Sequence, residues 1–176
     1  MTKQNKKGFT IIEVVLVLAI GGLIFLMVFI ALPALQRSQR NTQREDDLAR
    51  VLTAVNDYQT NNSGKTPFEN KDVNPNFLKR YVDEETVYVA GKPITTCGDQ
   101  FKDPDGECYQ IEWERDAQPG ETGVDAGLKE FDHTFHVFTN AGCGDLEGTY
   151  DVGTGKRQVA IFFVTEGGAV ACNDNH

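Results

Sequence analysis

A long uncharged run near the amino terminus constrains this chain more than any other feature. From Val14 to Leu32 the sequence contains no charged residue. The nineteen residues of this run, at a rise of about 1.5 Å each, make a helix of roughly 28 Å, which is about the thickness of the hydrocarbon core of a bilayer. The run therefore predicts a helix that crosses a membrane once.

A carboxylate stands at the start of this apolar run. Glu13 lies five residues after Gly8, and no cation stands beside it in the apolar sequence. The residues before Gly8 are polar and basic, with Lys6 and Lys7 directly preceding it. Because a charged group inside a membrane is costly, an intramembrane carboxylate indicates a functional role.

Lys-Gly-Phe-Thr-Ile-Ile-Glu at positions 7 to 13 resembles the class III signal peptide of type IV pilins and pseudopilins. The match is specific to position, and the resemblance extends through the apolar helix and, more loosely, to the cysteine-bearing C-terminal part. It implies that a prepilin peptidase cuts between Gly8 and Phe9 and that the new amino terminus of Phe9 is methylated. It also implies that Glu13 is the carboxylate through which subunits dock.

An amino terminus at Phe9 would give Glu13 a chemical partner. The α-amine of Phe9 and the carboxylate of Glu13 are then at positions i and i+4 of one helix face, so the carboxylate can pair with its own amine or with that of a neighbouring copy. Their attraction at close range is comparable to the cost of burying the charge. The alternative is that Glu13 merely lies among the lipid headgroups, where that cost is small.

Charge alone does not orient the helix in a membrane. Three lysines precede the run and four arginines follow it, namely Lys3, Lys6, Lys7, Arg37, Arg40, Arg44 and Arg50. Because both flanks are basic, the positive-inside rule leaves the orientation open, and the leader and the cysteines place the N-terminus in the cytoplasm. A conventional secretory signal fits poorly, because Ala31-Leu32-Pro33-Ala34 does not resemble its cleavage site.

The whole chain is acidic. Its net charge is −9 at pH 7, and removal of the lysine-containing leader would make it more negative. A strongly negative domain is a poor electrostatic match for nucleic acid, whose phosphates normally require a basic patch. We therefore predict no direct binding to nucleic acid.

The four cysteines all lie on the C-terminal side of the apolar run, at Cys97, Cys108, Cys143 and Cys172. Their spacing contains no C-x₂-C half-site, so a zinc site is not expected. We expect instead a disulfide framework in a domain that lies outside the cytosol. Four cysteines allow three pairings. We favour Cys97 with Cys108 and Cys143 with Cys172, because each pair closes a local loop between predicted strands.

The helical pattern continues beyond the apolar run. Leu48, Val51, Leu52, Val55 and Tyr58 fall on one stripe with helical spacing, which predicts a single helix from about Thr10 to Asn62 with a globular domain on that stripe. The charged residues around the stripe, from Arg37 to Asp47, are expected to form a solvated face.

Two kinds of residue interrupt the apolar half of this helix. Gly21, Gly22 and Pro33 all weaken isolated helices. In the family that the leader resembles, a glycine-to-proline segment can unwind when subunits pack into a filament, so these residues are candidates for a helix break. Ordinary tolerance of glycine and proline in membranes is the alternative.

The C-terminal half carries one further helix signal and several strand signals. Asn74 and Pro75 suit the start of a short helix. The predicted strands, separated by turn residues, are Thr86–Ala90, Tyr109–Glu114, Thr134–Asn140, Gln158–Thr165 and Ala169–Cys172. Their spacing favours an antiparallel meander with an exposed loop from Asp116 to Lys129.

The sequence contains no clear pattern of catalytic residues. Ser38 and Ser63, the only two serines, stand in no nucleophile-elbow context. His133 and His136 face opposite sides of a strand, so they cannot ligate one metal together. The acidic residues between Asp103 and Glu107 could offer oxygen ligands to calcium, but their spacing is typical of a plain acidic turn. We predict no enzyme activity, no cofactor and no metal site.

Together these features predict an α+β protein of the pilin type, with a long N-terminal α-helix packed on a small antiparallel β-sheet that contains disulfides. The expected segments are a leader, a membrane or filament-core helix, an amphipathic helix and a globular domain, over residues 1–8, 9–35, 36–62 and 63–176. The resemblance implies a type IV pilus subunit, held in the membrane by a single span before assembly and part of a cell-surface filament afterwards. Its partners would be copies of itself or other pilins, a prepilin peptidase, a pilus assembly platform and the membrane.

Two alternatives remain open. The first is a pseudopilin of a type II secretion or DNA-uptake machine, which would have the same construction. The second is a single-pass membrane-anchored binding domain whose leader matches by chance, and it predicts an uncut N-terminus near Met1.

Overall fold

The computed structural model describes residues 8–69, 72–82, 88–89, 92–93, 101–117, 133–146, 148–153, 155 and 157–175. Two compact units make up the chain, Met1–Gln39 and Arg40–His176. Four of the predictions fall wholly or partly outside the described residues: the leader up to residue 7, most of the strand at Thr86–Ala90, Cys97, and nearly all of the loop from Asp116 to Lys129.

A single long helix forms the first element. Helix α1 spans Ile11–Asn61, which confirms the predicted helix. The large apolar side chains of its first half, from Ile11 to Leu35, are all exposed. From Arg44 onward one stripe is buried, because Leu48, Val51 and Val55 recur at helical spacing and pack into the core of the second unit.

A polar turn ends α1. The Asn62 amide donates to the Tyr58 carbonyl at 2.9 Å, and the Gly64 amide donates to the Gln59 carbonyl at 2.7 Å. Gly64 has a positive φ of 79°, and a Cβ at this position would collide with the Arg157 side chain. Glycine is therefore required here both for the left-handed backbone and for space.

Short elements follow the helix. Strands β1 (Phe68–Glu69) and β2 (Asp72–Val73) pair antiparallel. Helix α2 (Pro75–Phe77) follows and continues into a π-helical turn over Leu78–Val82. Asn74 caps α2, since its Oδ1 accepts a hydrogen bond from the Asn76 amide at 2.9 Å.

Eight further strands follow among the described residues. They are β3 (Tyr88–Val89), β4 (Lys92–Pro93), β5 (Gln110–Asp116), β6 (Thr134–Thr139), β7 (Ala141–Cys143), β8 (Tyr150–Val152), β9 (Val159–Val164) and β10 (Val170–Asp174). The main sheet has the order β10-β9-β6-β5, and β3-β4 and β7-β8 are separate two-stranded ribbons.

Both faces of the main sheet are covered at its centre. On one face, Phe135, Val137 and Ile161 join the α1 stripe in one hydrophobic core. On the other face, Phe138 and Phe162 pack with residues of the β7-β8 ribbon. All residues of β6 and β9 are consequently buried, which explains the continuous apolar sequence of β9. In β6 the buried residues include the polar Thr134, His136 and Thr139.

The fold class is confirmed, but the predicted meander is wrong. Strand β5 pairs with β6 in parallel, whereas β6-β9 and β9-β10 are antiparallel. A parallel pair needs a crossover connection rather than a hairpin turn, so consecutive strands cannot simply alternate in direction. The sequence prediction also missed the two strands of the short β7-β8 ribbon.

One predicted disulfide closes the C-terminal end of the domain. Cys143 of β7 is bonded to Cys172 of β10, with a Cα–Cα distance of 5.9 Å and a sequence separation of 29 residues. Cys108 is also disulfide-bonded. Because Cys97 lies outside the described residues, the proposed Cys97–Cys108 bond stays a prediction.

Candidate functional site

The start of the described chain is fully accessible. Gly8 and Phe9 precede α1 without regular structure, and the Phe9 side chain is 90% exposed. No atom lies within 4 Å of the position that a Cβ on Gly8 would occupy. A protein that acts on the Gly8–Phe9 bond would therefore meet no obstruction from the described parts of its own chain.

Thr10 and Glu13 form a capping box at the start of α1. The Thr10 amide and the Thr10 Oγ1 hydroxyl both donate to Glu13 Oε2 at 2.8 Å. In return, the Glu13 amide donates to Thr10 Oγ1 at 3.4 Å. These reciprocal bonds satisfy donors that the first turn of a helix otherwise leaves without partners.

The capping box adds a role for Thr10 that sequence reasoning missed. The signal was available, because Thr10-Ile11-Ile12-Glu13 matches the pattern of a small hydroxyl residue followed three positions later by glutamate. Both bonds that Glu13 accepts use Oε2. The carboxylate can thus hold the helix start and still present its second oxygen to an amine.

The first half of α1 is an apolar rod. Its large side chains are all exposed, from Ile11 to Leu35, and among the described helices α1 is long and apolar enough to cross a bilayer. Gly21, Gly22 and Pro33 lie inside the continuous helix. The break predicted at these residues concerns packed subunits and stays a prediction.

A second group of charged residues lies within the second unit, Arg40–His176, called the globular unit below. Arg44 is completely buried, and its Nε and Nη2 donate to the two carboxylate oxygens of Asp103 at 2.5 and 2.6 Å. Its Nη1 donates to Glu166 Oε1 at 2.6 Å. One guanidinium on the helix therefore holds two acidic turns that are far apart in sequence.

Arg40 reinforces the same cluster one helical turn earlier. Its Nε and Nη2 donate to the two oxygens of Glu166, both at 2.7 Å. The hydrogen bonds from Arg40 lower the pKa of Glu166 from its ordinary 4.5 to about 2, against an opposing effect of desolvation. Desolvation also opposes ionisation of Asp103, but its bonds with Arg44 outweigh it and lower the pKa of Asp103.

In the neighbouring pair of Asp47 and Tyr109 the pKa values are raised rather than lowered. The Tyr109 hydroxyl donates to Asp47 Oδ2 at 3.0 Å. Burial raises the pKa of Asp47 above its ordinary value, and burial together with the negative charge of Asp47 raises the pKa of Tyr109. The pair therefore remains a neutral phenol hydrogen-bonded to a carboxylate at neutral pH.

These contacts correct the prediction of a solvated charged face. Arg44 is buried and Arg40 and Asp47 are half-buried, while Glu45 and Asp46 are exposed. The missed signal is positional, because Arg44 lies four residues before Leu48 and extends the buried stripe by one turn. Likewise, Asp103 is not part of a plain solvated turn, since it is the buried partner of that arginine.

The two predicted histidines fall into separate groups. One group joins His133 to Asp103 and Asp105, and the other joins His136 to Glu112 and Glu114. Arg44 already pairs with both carboxylates of the first group, at 2.5 and 3.7 Å. In the second group, His136 Nδ1 lies 2.6 Å from Glu114 Oε1.

A comparison with known families matches the N-terminal stretch of the chain. Residues 3–29 match the prokaryotic N-terminal methylation motif, the class III signal peptide of type IV pilins and pseudopilins. The match includes Gly8, Phe9, Glu13 and the first part of the apolar helix. Neither the curated proteins nor the solved structures contain a match to the chain.

Proposed function

We propose that this protein is a structural subunit of a type IV pilus. A prepilin peptidase would remove residues 1–8 and methylate Phe9, and the mature chain would polymerise through its apolar N-terminal helix. The observation that carries the proposal is the methylation motif at residues 3–29, placed at the start of a helix that is apolar and exposed from Ile11 to Leu35.

The exposed helix supports assembly as well as anchoring. Such a long apolar surface is not stable in water, so lipid must cover it before assembly and other apolar helices can cover it afterwards. In a bundle of these helices water is excluded, and a carboxylate at Glu13 then needs a cationic partner. The methylated amine of Phe9 in a neighbouring copy would supply that cation.

The globular unit suits the outside of a filament. Its disulfide between Cys143 and Cys172 is typical of an oxidising, extracytoplasmic compartment. Its core is built on the second half of α1, so the first half remains available for packing. The acidic composition of the chain favours a soluble, mutually repelling surface.

Electron microscopy of the native host tests the proposal. Cells with the intact gene should carry long surface filaments that bind an antibody against residues 101–175. Deletion of the gene should remove these filaments, and expression of the wild-type protein should restore them. Short fibres confined to the cell envelope would instead favour a pseudopilin, which carries the same motif.

A further inference from the structure

We propose that Glu112, Glu114 and His136 form a binding site for a divalent transition-metal ion, with Zn²⁺ as the best match. The three residues lie on β5 and β6 of the main sheet. The ligand-type atoms of the three side chains lie within 4.8 Å of one another. This proposal replaces our expectation from sequence that the chain has no metal site.

Strand pairing brings the three side chains together. Glu112 and His136 are direct partners in the parallel register of β5 and β6. The register shifts between Trp113 and Arg115, so Glu114 has no partner on β6 and is the extra residue of a β-bulge. A bulge turns a side chain away from the normal alternation, and here the Glu114 carboxylate reaches His136 Nδ1 at 2.6 Å.

Glu112 of this group has no lysine or arginine paired with it among the described residues. The contact of Glu114 within the same ranges is with His136 Nδ1. Two carboxylates this close repel each other unless a cation lies between them. The other histidine group differs, because Arg44 already forms ion pairs with both Asp103 and Asp105.

The ligand set selects the class of metal. An imidazole nitrogen with carboxylate oxygens suits zinc and related transition metals, whereas calcium and magnesium prefer oxygen alone. Two glutamates and one neutral histidine also balance a charge of two. Ligand atoms that share one zinc ion lie about 3 to 3.5 Å apart. A bound ion would therefore separate Glu114 Oε1 from His136 Nδ1, which are 2.6 Å apart, and draw in the exposed Glu112 side chain.

The position of the group allows a metal to enter. Strand β5 is at one edge of the main sheet, where Glu112 is exposed and Glu114 is half-buried, whereas His136 is only 6% exposed. The buried imidazole fixes one ligand, and water can complete the coordination from the solvent side. A bound ion would hold the bulged edge strand against β6.

Calorimetric titration of ZnCl₂ into the full chain, purified in detergent without a histidine tag, tests the site. Wild type should bind about one Zn²⁺ per chain, and Glu112→Gln and Glu114→Gln should each weaken binding by at least about tenfold. Because Glu112 is exposed, Glu112→Gln should leave the fold intact. Zn²⁺ should also raise the unfolding temperature of wild type but not of Glu112→Gln.

Asp105→Asn provides the matched control, because it alters the group that already has Arg44 as its cationic partner. Its Zn²⁺ affinity should stay within about twofold of wild type, and CaCl₂ should not compete with Zn²⁺ in any variant. Absence of Zn²⁺ binding to wild type would overturn the proposal. Equal weakening by Asp105→Asn, or unchanged binding by Glu112→Gln, would also overturn it.

Discussion

Arg44 of α1 and Asp103 form a two-bond ion pair in which both side chains are completely inaccessible to solvent. Removal of one partner leaves the other charge buried, which typically costs about 3 to 5 kcal/mol. We expect Arg44→Met to lower the free energy of unfolding by about this amount. Urea unfolding of the full chain in detergent, followed by tryptophan fluorescence of Trp113, measures the change.

Two controls separate the ion pair from general damage to α1. Glu45→Gln changes an exposed charge next to Arg44 and should shift stability by less than about 0.5 kcal/mol. The double variant Arg44→Met with Asp103→Leu removes both buried charges and should recover part of the loss. This recovery is expected because Glu166 keeps Arg40 as its partner and Asp105 is exposed. A double variant less stable than Arg44→Met alone would contradict this account.

The ionised Glu166 carboxylate stabilises the globular unit, and this contribution is lost at acidic pH. Its pKa in the folded chain is about 2, below the ordinary 4.5, so its contribution is complete above about pH 4.5 and is lost as the pH falls towards 2. Glu166→Gln cannot titrate, and its stability should therefore fall less steeply over this range. Unfolding temperatures measured between pH 5 and pH 2 check this prediction. If Glu166 did not contribute, the unfolding temperatures of wild type and Glu166→Gln would fall in parallel as the pH is lowered.

The periodic features of the fold could be predicted from sequence because they depend on local spacing. The α1 stripe from Leu48 to Val55, strand β6 and the apolar strand β9 all followed from their patterns. The parallel pairing of β5 with β6 could not be predicted in this way, because strand direction depends on partners and crossovers rather than on alternation. Strand β7, with three residues, is too short to give a periodic signal.

The residues of the N-terminal motif could be predicted because they are contiguous. Gly8, Phe9 and Glu13 were identified directly, and the Thr10 cap was available from the same stretch. The environment of Arg44 could not be predicted, because its partners Asp103 and Glu166 lie 59 and 122 residues away in the sequence. The group of Glu112, Glu114 and His136 likewise depends on strand register and on a bulge that the sequence does not show.

The Cys143–Cys172 disulfide should stabilise the C-terminal end of the sheet. It joins residues 29 apart, and the chain-entropy relation gives about 3 to 4 kcal/mol for a loop of this length. The double variant Cys143→Ser with Cys172→Ser should lose stability in that range and yield fewer surface filaments. Asp151→Asn, an exposed change on β8, is the control and should match wild type in both assays.

Glu13 should matter for filament assembly rather than for membrane insertion. Its bonds to Thr10 are local, so Glu13→Ala should still insert and be cut. In a filament it would leave the neighbouring amine without its partner, and incorporation should fall by more than about a hundredfold. Glu13→Asp, which keeps the charge with a shorter reach, should be intermediate in filament counts by electron microscopy.

Thr10→Ala separates the capping role from the docking role. It removes the hydroxyl that bonds to Glu13 Oε2 but keeps the carboxylate, so the first turn should fray while assembly persists. Filaments of wild-type length and number from Glu13→Ala would refute the docking role of this carboxylate. A Thr10→Ala chain that fails as completely as Glu13→Ala would assign the effect to the cap.

Gly8→Leu provides the control for processing. A peptidase that draws an extended backbone past the membrane surface meets least steric hindrance at a residue without Cβ, so the leucine variant should accumulate uncut. Normal trimming of Gly8→Leu would show that Gly8 is not the processing boundary.

Mass spectrometry of the N-terminus, on protein isolated from the membrane fraction of the native host, tests the central claim most directly. The account predicts a mature chain that begins at Phe9, carries one additional methyl group on its α-amine and lacks residues 1–8, together with an uncut Gly8→Leu chain. A wild-type chain that still begins near Met1 and has an unmethylated Phe9 would contradict it.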